Sequence, residues 1–434
     1  MLTSDDWAYR AVALMRLARF EGEGVAQLAN NALSDAAWQV RCFAIATAHQ
    51  QGLTIAPEQF TNEDDARVLR TAVRFGYNVP EETLNAATTR LLRMRTVDAL
   101  LLGIELGAAS PSEGIRADAS KRTGRLIANM SPQIAAMISR RLARVLQLDR
   151  APATLIEWQR WAASQPRDYQ LPRPQLRDQA QPSLIALADA ETFLQLRDYL
   201  GSLRQRDLEM VIVLDATNSM TPVIDAVKAD VDALMLFLTD ISSTMRLGLL
   251  AFRDHDNPGR LVEAHQFSTD LESLRNFLFG LATPGGATFP EAVLDGLAAC
   301  RKFEWADAAE REIILIGDAP PHDKDGSEVR SLLEWYVQQG LSVHAVHVPM
   351  QWPNGYLASL TPTERNEREF WLSQYNINTR AVFADIALIG GGHLVELTDS
   401  SQNTLVRSIM KLTIQPDFWP YFDAFYDVYL ELCR

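Results

Sequence analysis

The sequence predicts two fold classes in one chain: an all-α region, followed by an α/β region built on a doubly wound parallel sheet. Apolar residues recur at helical spacing up to about residue 205, and no alternating strand pattern interrupts them. Short apolar runs of strand length then alternate with helical stretches. The chain of 434 residues is long enough to bury two cores, so two domains are expected.

Residues 1–164 are predicted to form a succession of short amphipathic helices. The first has Trp7, Ala11 and Leu14 on one face, and Gly, Pro, Asn or Asp stand at the breaks that follow. The stretches DAAWQVRCFAIATAHQQG, DARVLRTAVRF and PEETLNAATTRLLRM continue the pattern. This half of the chain is therefore expected to be all-α.

One segment of this half has the residue order of a known helical repeat. Between Leu33 and Gly52 stand Asp35, Val40, Arg41 and Ala44, and this order resembles one HEAT or armadillo repeat. In such repeats paired helices stack into a solenoid. An irregular helical bundle is the alternative, because the remaining helices show no strict period.

Residues 165–206 are predicted to connect the two domains. The stretch QPRDYQLPRPQLRDQAQP is polar and rich in proline, which cannot sustain a helix. Ser183 to Arg206 then has the spacing of one further helix. The second domain is predicted over residues 207–412, and an aromatic and acidic C-terminal helix or tail over residues 413–434.

The second domain is predicted from four apolar runs that read as buried strands. They are Met210–Leu214, Leu247–Phe252, Glu312–Ile316 and Leu341–Val348. A long helix is expected from Thr221-Pro222 through about Leu238. In a doubly wound sheet, ligands bind beyond the carboxyl ends of the strands, which is where Asp215, Asp254 and Asp318 fall.

The residues expected at this edge carry oxygen ligands. Asp215 and Asp318 supply carboxylates, and Thr217, Ser219 and Thr288 supply hydroxyls. Hard divalent cations bind such ligands, whereas Zn²⁺ favours Cys and His. The sequence predicts a divalent cation, Mg²⁺ first and Mn²⁺ or Ca²⁺ as alternatives. With few carboxylates, the cation keeps an open coordination position.

Four sequence blocks in this half resemble a known family. The string DATNS resembles the D-x-S/T-x-S motif of the metal-ion-dependent adhesion site in von Willebrand factor A (vWA) domains. The strings LGLLAFRDHD, TPGGATFPEAVLDGL and ILIGDAPPHD are similar to the later blocks of that family, in order. Within the family, the similarity is greatest to domains associated with α-kinases and to related bacterial proteins. The resemblance covers about residues 207 to 412.

The resemblance implies a set of metal ligands. Asp215, Thr217 and Ser219 match the first loop of the adhesion site, Thr288 the second and Asp318 the third. Thr217 stands where serine is commoner, and Thr288 where the nearest subgroup often has aspartate. Two local roles are alternatives: Ser219 can cap the next helix, and Thr288 begins a T-x-x-E capping box.

Other residues of this half invite roles that we do not assign. His255 and His322 are expected to be solvated loop residues, and Gly285-Gly286 lacks the lysine of a nucleotide-binding loop. Asp254 lies on the binding edge without an assigned role.

Two aromatic segments are candidate partner surfaces. In the long segment before a helix expected near Thr379, four of the aromatic residues suit a binding surface or internal packing. They are Trp352, Tyr356, Phe370 and Trp371. In the C-terminal stretch, Phe422, Phe425 and Tyr429 share one helical face, which is expected to dock on either domain.

Charge and cysteine content exclude several classes of protein. The net charge of −14 disfavours a nucleic-acid partner, and nearly all the acidic excess follows Arg206. The three cysteines, Cys42, Cys300 and Cys433, have no metal or redox spacing and suit a reducing compartment. No apolar run reaches membrane-spanning length, and the N-terminus is unlike a signal peptide. A cytoplasmic protein without membrane contact is expected.

These features predict an interaction or scaffold protein, not an enzyme. Its partner contributes an Asp or Glu to the cation, and the helical domain binds a second protein. The resemblance implies a multi-protein signalling, stress or defence assembly. RNA binding is one alternative, because helical repeats with a vWA domain resemble the architecture of the Ro autoantigen. A metal-dependent hydrolase is another, although no nucleophile or general base can be assigned.

Overall fold

A computed structural model describes most of the chain. It covers residues 2–433 except 18, 21, 95, 153, 167, 175–189, 206, 222, 243, 257–259, 284–289, 353–354, 398–405, 408 and 411–415. The chain divides into two compact units. The helical unit comprises Met1–Gly201 and Ile414–Arg434, and the sheet unit comprises Ser202–Thr413.

The helical unit confirms the all-α expectation for the first half of the chain. Its described helices are α1 (Trp7–Leu17), α2 (Glu23–Ala32), α3 (Trp38–Gln50), α4 (Ala66–Arg74), α5 (Glu81–Leu91), α6 (Val97–Ala109), α7 (Glu113–Asn129), α8 (Pro132–Val145), α9 (Leu155–Ser164), α10 (Ala190–Gln205) and, at the C-terminal end, Trp419–Cys433. Several begin at a side-chain cap: Asp65 accepts from the backbone N–H of Arg67, and Thr154 from that of Glu157. Whether these helices form true repeats stays a prediction.

The C-terminal helix Trp419–Cys433 packs against α3 and α4. Its residues Phe422, Phe425 and Tyr429 are fully buried, and the Phe425 ring stacks on Phe43 with 5.9 Å between centroids. The apolar face expected from the sequence is therefore covered by the helical unit, although more than 200 residues separate this helix from the rest of that unit.

The sheet unit alternates strands and helices. Its described elements are β1 (Leu208–Asp215), α11 (Ile224–Ile241), β2 (Arg246–Phe252), β3 (Val262–Ser268), α12 (Leu271–Gly280), α13 (Val293–Ala299), β4 (Glu310–Gly317), α14 (Gly326–Gln338), β5 (Leu341–His347), α15 (Pro362–Ile389) and β6 (Gly391–Glu396). The C-terminal helix is accordingly α16. In the described part of the chain, no helix is long and apolar enough to cross a membrane.

The strands form one six-stranded sheet in the order β3-β2-β1-β4-β5-β6. All neighbours pair in parallel except β2 and β3, which are antiparallel. The doubly wound α/β class is thus confirmed, with one antiparallel edge strand that the sequence did not predict. The four predicted strands are the four central ones, which are buried almost throughout.

One helix begins much earlier than expected. The sequence predicts a helix that begins near Thr379, but α15 begins at Pro362. Thr361 accepts from the backbone N–H of Glu364, whose side chain in turn accepts from the backbone of Thr361, and proline occupies the first turn. The predicted boundary was wrong because the capping box in the sequence TPTE begins the helix, although the polar segment that follows has the composition of a loop.

Candidate metal centre

The two central strands of the sheet end in the two predicted carboxylates. Asp215 is the last residue of β1, and Asp318 follows Gly317, the last residue of β4. β1 and β4 are parallel neighbours, so both residues lie at the same edge of the sheet. A Cβ atom on Gly317 would lie 3.2 Å from Asp215 Oδ2, so glycine at this position leaves room for that carboxylate.

A chain of hydrogen bonds joins four of the predicted ligands. The Thr217 hydroxyl donates to Asp215 Oδ1 at 2.7 Å, and the Ser219 hydroxyl donates to Asp318 Oδ1 at 2.9 Å. The two hydroxyl oxygens are 2.9 Å apart. Thr217 and Ser219 each have one hydroxyl proton, but the chain contains three close oxygen–oxygen contacts. One of these contacts therefore has no proton, unless a carboxylate is protonated or a cation lies against these oxygens.

A third buried carboxylate, which the sequence analysis did not assign to the site, belongs to Glu291. Its side chain is 1% exposed, and its backbone N–H donates to the Pro320 carbonyl at 3.0 Å, two residues from Asp318. Glu291 precedes α13, which begins at Val293, and therefore does not lie inside the helix as a capping-box glutamate would. Neither strand nor helix periodicity marks this residue, and only the juxtaposition with the Asp318 loop reveals it.

Burial shifts the titration of these carboxylates. Burial raises the pKa of Asp215 to about 6, against hydrogen bonds from Thr217 that lower it. Burial, and then the charge of Asp215, raise the pKa of Asp318 well above its ordinary value. Burial, and then the charges of Asp215, Asp254 and Asp318, raise the pKa of Glu291 to about 10. Each carboxyl group resists ionisation because the others lie close by in a dry environment.

Among the described residues, three carboxylate oxygens in this cluster have no hydrogen-bond partner. They are Asp215 Oδ2, Asp318 Oδ2 and Glu291 Oε2, all buried. Buried polar atoms are almost always satisfied, and an uncompensated buried carboxylate is costly. Among the described residues, no lysine or arginine is recorded in an ion pair with any of the three. In the described part of the chain, no lysine or arginine therefore offsets the charge of these three carboxylates.

Asp254 joins the cluster from the next strand. It follows β2, is 2% exposed, and its Oδ1 lies 2.8 Å from His322 Nε2. His255 and His322, expected to be solvated, have ring centroids 5.7 Å apart, and His255 Nε2 lies 3.4 Å from Asp295. His322 is thus held by a buried carboxylate rather than left free in solvent.

Two predicted features fall outside the described residues. Thr288, the ligand expected from the second loop, and Gly285-Gly286 both belong to the segment 284–289. Their roles stay predictions. Within the described chain, no group of three or more His, Cys, Asp or Glu residues has the geometry of a complete metal site. The predicted ligand set has only two carboxylates, and its other members are hydroxyls. It is therefore not a group of that kind.

The described residues suit a hard divalent cation. Such cations prefer carboxylate and hydroxyl oxygens, and Mg²⁺ typically keeps several waters beside one or two protein carboxylates. The carboxylates of Asp215 and Asp318 and the two hydroxyls would supply ligands of this kind. A cation there would also offset the charge that burial otherwise opposes.

Comparisons with known proteins give limited matches. No family model matches the chain. An α-protein kinase of Dictyostelium discoideum, vwkA, is 28% identical over 131 residues, which is 30% of this chain and 20% of that protein. The chain thus matches about a fifth of the length of this relative.

Solved structures with a similar fold include the SpRpn10 VWA domain. That match has 14% identity and a TM-score of 0.32, and covers 46% of this chain and 94% of that domain. The pilus adhesin SpaC from Lactobacillus rhamnosus GG, in an open conformation, matches with 11% identity and a TM-score of 0.31, over 52% of this chain and 30% of that one.

Proposed function

We propose that the sheet unit is a vWA-type domain that binds a divalent cation, Mg²⁺ first, and through it an acidic residue of a partner protein. The ligands are Asp215, Thr217, Ser219 and Asp318, and Thr288 from the loop outside the described residues. Glu291 is added as a carboxylate that binds the waters around the cation.

The observation that carries the proposal is the set of three buried, unsatisfied carboxylate oxygens at one edge of the sheet. A structural role alone does not explain them, since a folded protein gains nothing from buried carboxylate oxygens that have neither a cation nor a hydrogen-bond donor among the described residues. The mixture with hydroxyls favours binding over hydrolysis, because neutral ligands leave the cation electrophilic toward an incoming carboxylate. We therefore propose an interaction protein rather than an enzyme.

Calorimetric titration with MgCl₂ tests the cation site directly. Wild type is expected to bind one equivalent, and Asp318→Asn to lose at least tenfold in affinity, because a charged ligand becomes neutral. Asp307→Asn is the matched control, since Asp307 is exposed in the turn before β4. Equal binding by all three proteins would contradict the proposed ligand set.

A capture experiment tests the partner. The full chain and its Asp215→Ala variant are incubated with cell lysate in Mg²⁺ and in EDTA, and bound proteins are identified. A protein held only by wild type in Mg²⁺, and released by free acetate or a glutamate-rich peptide, is the expected result. Identical sets of proteins in all four samples would sink the metal-bridged mechanism.

The helical unit is proposed to bind a second protein. A groove of about 640 Å³ lies between α7 and α9, and it is lined by Trp161, Tyr169 and small residues of α7 such as Ala117 and Gly124. Aromatic residues of this kind often anchor partners. Substitution of Trp161 by Ser is expected to remove any partner that survives in EDTA.

Metal-dependent hydrolysis is a second candidate, favoured by one observation. His322 is oriented by the buried Asp254, as a general base would be. Turnover of p-nitrophenyl phosphate or of a peptide substrate in Mg²⁺, abolished by His322→Ala, would support it. Absence of turnover above the buffer rate with both substrates would leave the interaction function as the stronger proposal.

A further inference from the structure

A small cavity in the helical unit is lined largely by arginines. Its volume is about 20 Å³, and five of its eight lining residues are charged: Arg70, Arg74, Glu105, Arg141 and Arg144. Arg70 and Arg74 are four residues apart on α4, and Arg141 and Arg144 are three apart on α8, so each pair shares a helix face. Like charges at this spacing repel each other, and the lining contains a single carboxylate.

Arg74 has the strongest partners of the four arginines. Its Nε lies 2.6 Å from Glu105 Oε1, and its Nη1 donates to the Glu431 carbonyl of α16 at 2.9 Å. Burial opposes its charge, but the charges of Glu105 and Glu431 outweigh burial and raise the pKa of Arg74. Arg74 is therefore a compensated cation.

Arg141 and Arg70 are held in two other ways. Arg141 forms an ion pair with Asp98 of α6. Arg70 is 4% exposed, and its Nη2 donates to the Leu432 carbonyl at 3.0 Å. Burial, and then the charge of Arg74, lower the pKa of Arg70 to about 10. A carbonyl oxygen accepts a hydrogen bond but carries no net charge, so this bond does not neutralise the guanidinium.

Arg144 differs from the other three arginines. In the part of the chain that the structure describes, its half-buried side chain forms no hydrogen bond and no ion pair. Burial, and then the charge of Arg74, lower the pKa of Arg144, against the smaller opposing effects of Glu431 and Glu105. Arginine does not lose its proton at neutral pH, so this guanidinium stays charged. An anion is the partner that would offset its charge.

The charges around the cavity leave one cation over. Among the described residues, the four guanidinium groups are matched by three carboxylates, those of Asp98, Glu105 and Glu431. We propose that the cavity binds one chloride ion, held by Arg144 and Arg70. This site lies in the helical unit and does not depend on the function proposed for the sheet unit.

The size of the cavity selects the kind of anion. A volume of about 20 Å³ holds one occupant of roughly the size of a water molecule. A monatomic ion such as chloride is of this kind, whereas phosphate or the carboxylate of a partner side chain has several heavy atoms. Guanidinium N–H groups donate strong hydrogen bonds to anions, and two arginines would share the single negative charge.

Chloride is expected to stabilise the contact of α16 with the rest of the helical unit. Arg74 and Arg70 donate to the carbonyls of Glu431 and Leu432, which belong to the last turn of α16. Cations at the carboxyl end of a helix are favourable, but here they repel one another and Arg144. An anion among them offsets this repulsion, so chloride and the docked helix support each other.

Exchange of the anion at constant ionic strength tests the proposal. The full chain is unfolded thermally in EDTA with 150 mM sodium chloride, sodium bromide or sodium gluconate, and calorimetry gives the midpoints. The wild-type midpoint is expected to be about 3 °C or more higher in chloride and in bromide than in gluconate, which is too large for the cavity. Wild type is also expected to broaden the ³⁵Cl NMR line of chloride, and added bromide to narrow it again by displacement.

Arg144→Gln removes the charge and keeps a polar side chain. It is expected to lose both the rise of the midpoint in chloride and the line broadening. In gluconate it should unfold at or above the wild-type midpoint, because an uncompensated charge is gone. Arg125→Gln, at an exposed position of α7, is the matched control and should behave like wild type.

Three results would overturn the proposal. The first is that wild type has equal midpoints in the three salts or does not broaden the chloride line. The second is that Arg144→Gln still responds to chloride as wild type does. The third is that Arg144→Gln fails to fold, or is less stable than wild type in gluconate, since Arg144 would then serve the fold without an anion.

Discussion

The two units of this protein each bury a cluster of charged residues, and the clusters are built on opposite principles. In the helical unit, Arg74 Nε lies 2.6 Å from Glu105 Oε1, and the Arg74 side chain also reaches Glu431 on α16. In the sheet unit, the carboxylates of Asp215 and Asp318 are held by hydroxyls and have no recorded cationic partner among the described residues.

The titration of the two clusters reflects this difference. Burial alone would raise the pKa of Glu105, but Arg74 and Arg70 outweigh it and hold that pKa below its ordinary value. The pKa of Glu291, also buried, is instead raised to about 10. A paired cluster is complete within the chain and serves stability. An unpaired cluster of equal burial has no such cation among the described residues, and this supports the binding role proposed for it.

The largest expected effect comes from breaking the complete cluster. Arg74→Met leaves Glu105 buried without its cation and is expected to cost about 3–5 kcal/mol of unfolding free energy. Arg122→Met is the control, because Arg122 and Asp118 are 3.8 Å apart with side chains 37% and 48% exposed. Urea unfolding followed by far-UV circular dichroism measures both, and equal costs would remove the distinction drawn for Arg74.

His347 is a buried ionisable side chain outside both clusters, and it sharpens the comparison because it remains uncharged. His347 is 1% exposed, neither ring nitrogen has a hydrogen-bond partner among the described residues, and burial lowers its pKa to about 4. Below the unfolded pKa of about 6.5, the unfolded chain takes up a proton that the folded chain refuses. Stability is therefore full above this pH and lost as pH falls toward 4, by up to about 3 kcal/mol.

The measurement is the urea midpoint of wild type and His347→Leu at pH 7.5, 6 and 5. His347→Leu is expected to flatten the acid branch of the curve, while His49→Leu, at an exposed position, should leave its slope unchanged. If the urea midpoint falls as steeply with decreasing pH in His347→Leu as in wild type, the loss of stability in acid comes from other groups.

Neutralising Asp318 in the carboxylate cluster should change the free energy of unfolding in opposite directions with and without Mg²⁺. In EDTA at pH 7.5, Asp318→Asn is expected to raise unfolding free energy by about 1–3 kcal/mol, because it removes charge repulsion in a dry site. In Mg²⁺ at a hundredfold excess over its Kd, wild type gains about 2.7 kcal/mol and the variant does not. Thermal unfolding in both buffers measures the reversal. A variant less stable than wild type in EDTA would count against a missing cation.

The smallest effect is expected at an exposed ion pair of the sheet unit. Arg380 Nε lies 2.8 Å from Glu396 Oε2, with side chains 53% and 33% exposed. Arg380→Met should cost less than about 1 kcal/mol, and the cost should shrink further in 0.5 M NaCl. A cost comparable with that of Arg74→Met would mean that burial does not separate the two kinds of pair.

The sequence was sufficient to predict the site residues that directly follow buried strands. The central strands are continuous apolar runs, and Asp215 and Asp318 come directly after them, so topology alone places both at one edge. The edge strands escaped prediction because their burial is partial: β3 has a mixed pattern, and β6 begins with Gly391-Gly392.

Glu291 could not be predicted in the same way. Its position depends on a backbone hydrogen bond to Pro320, a contact between two loops that no local period encodes. The early start of α15 was, by contrast, available from the capping box at Thr361. Local signals therefore determine where helices begin, whereas the meeting of two loops at a site becomes visible only once the sheet order is known.

The position of α16 has a consequence for the order of synthesis. The helix belongs to the helical unit, yet the ribosome produces it after the whole of Ser202–Thr413. Phe43 can therefore contact Phe425 only after more than 380 further residues have been synthesised. During that interval the sheet unit can fold as a complete domain, while the apolar surface of α3 and α4 that α16 later covers stays exposed.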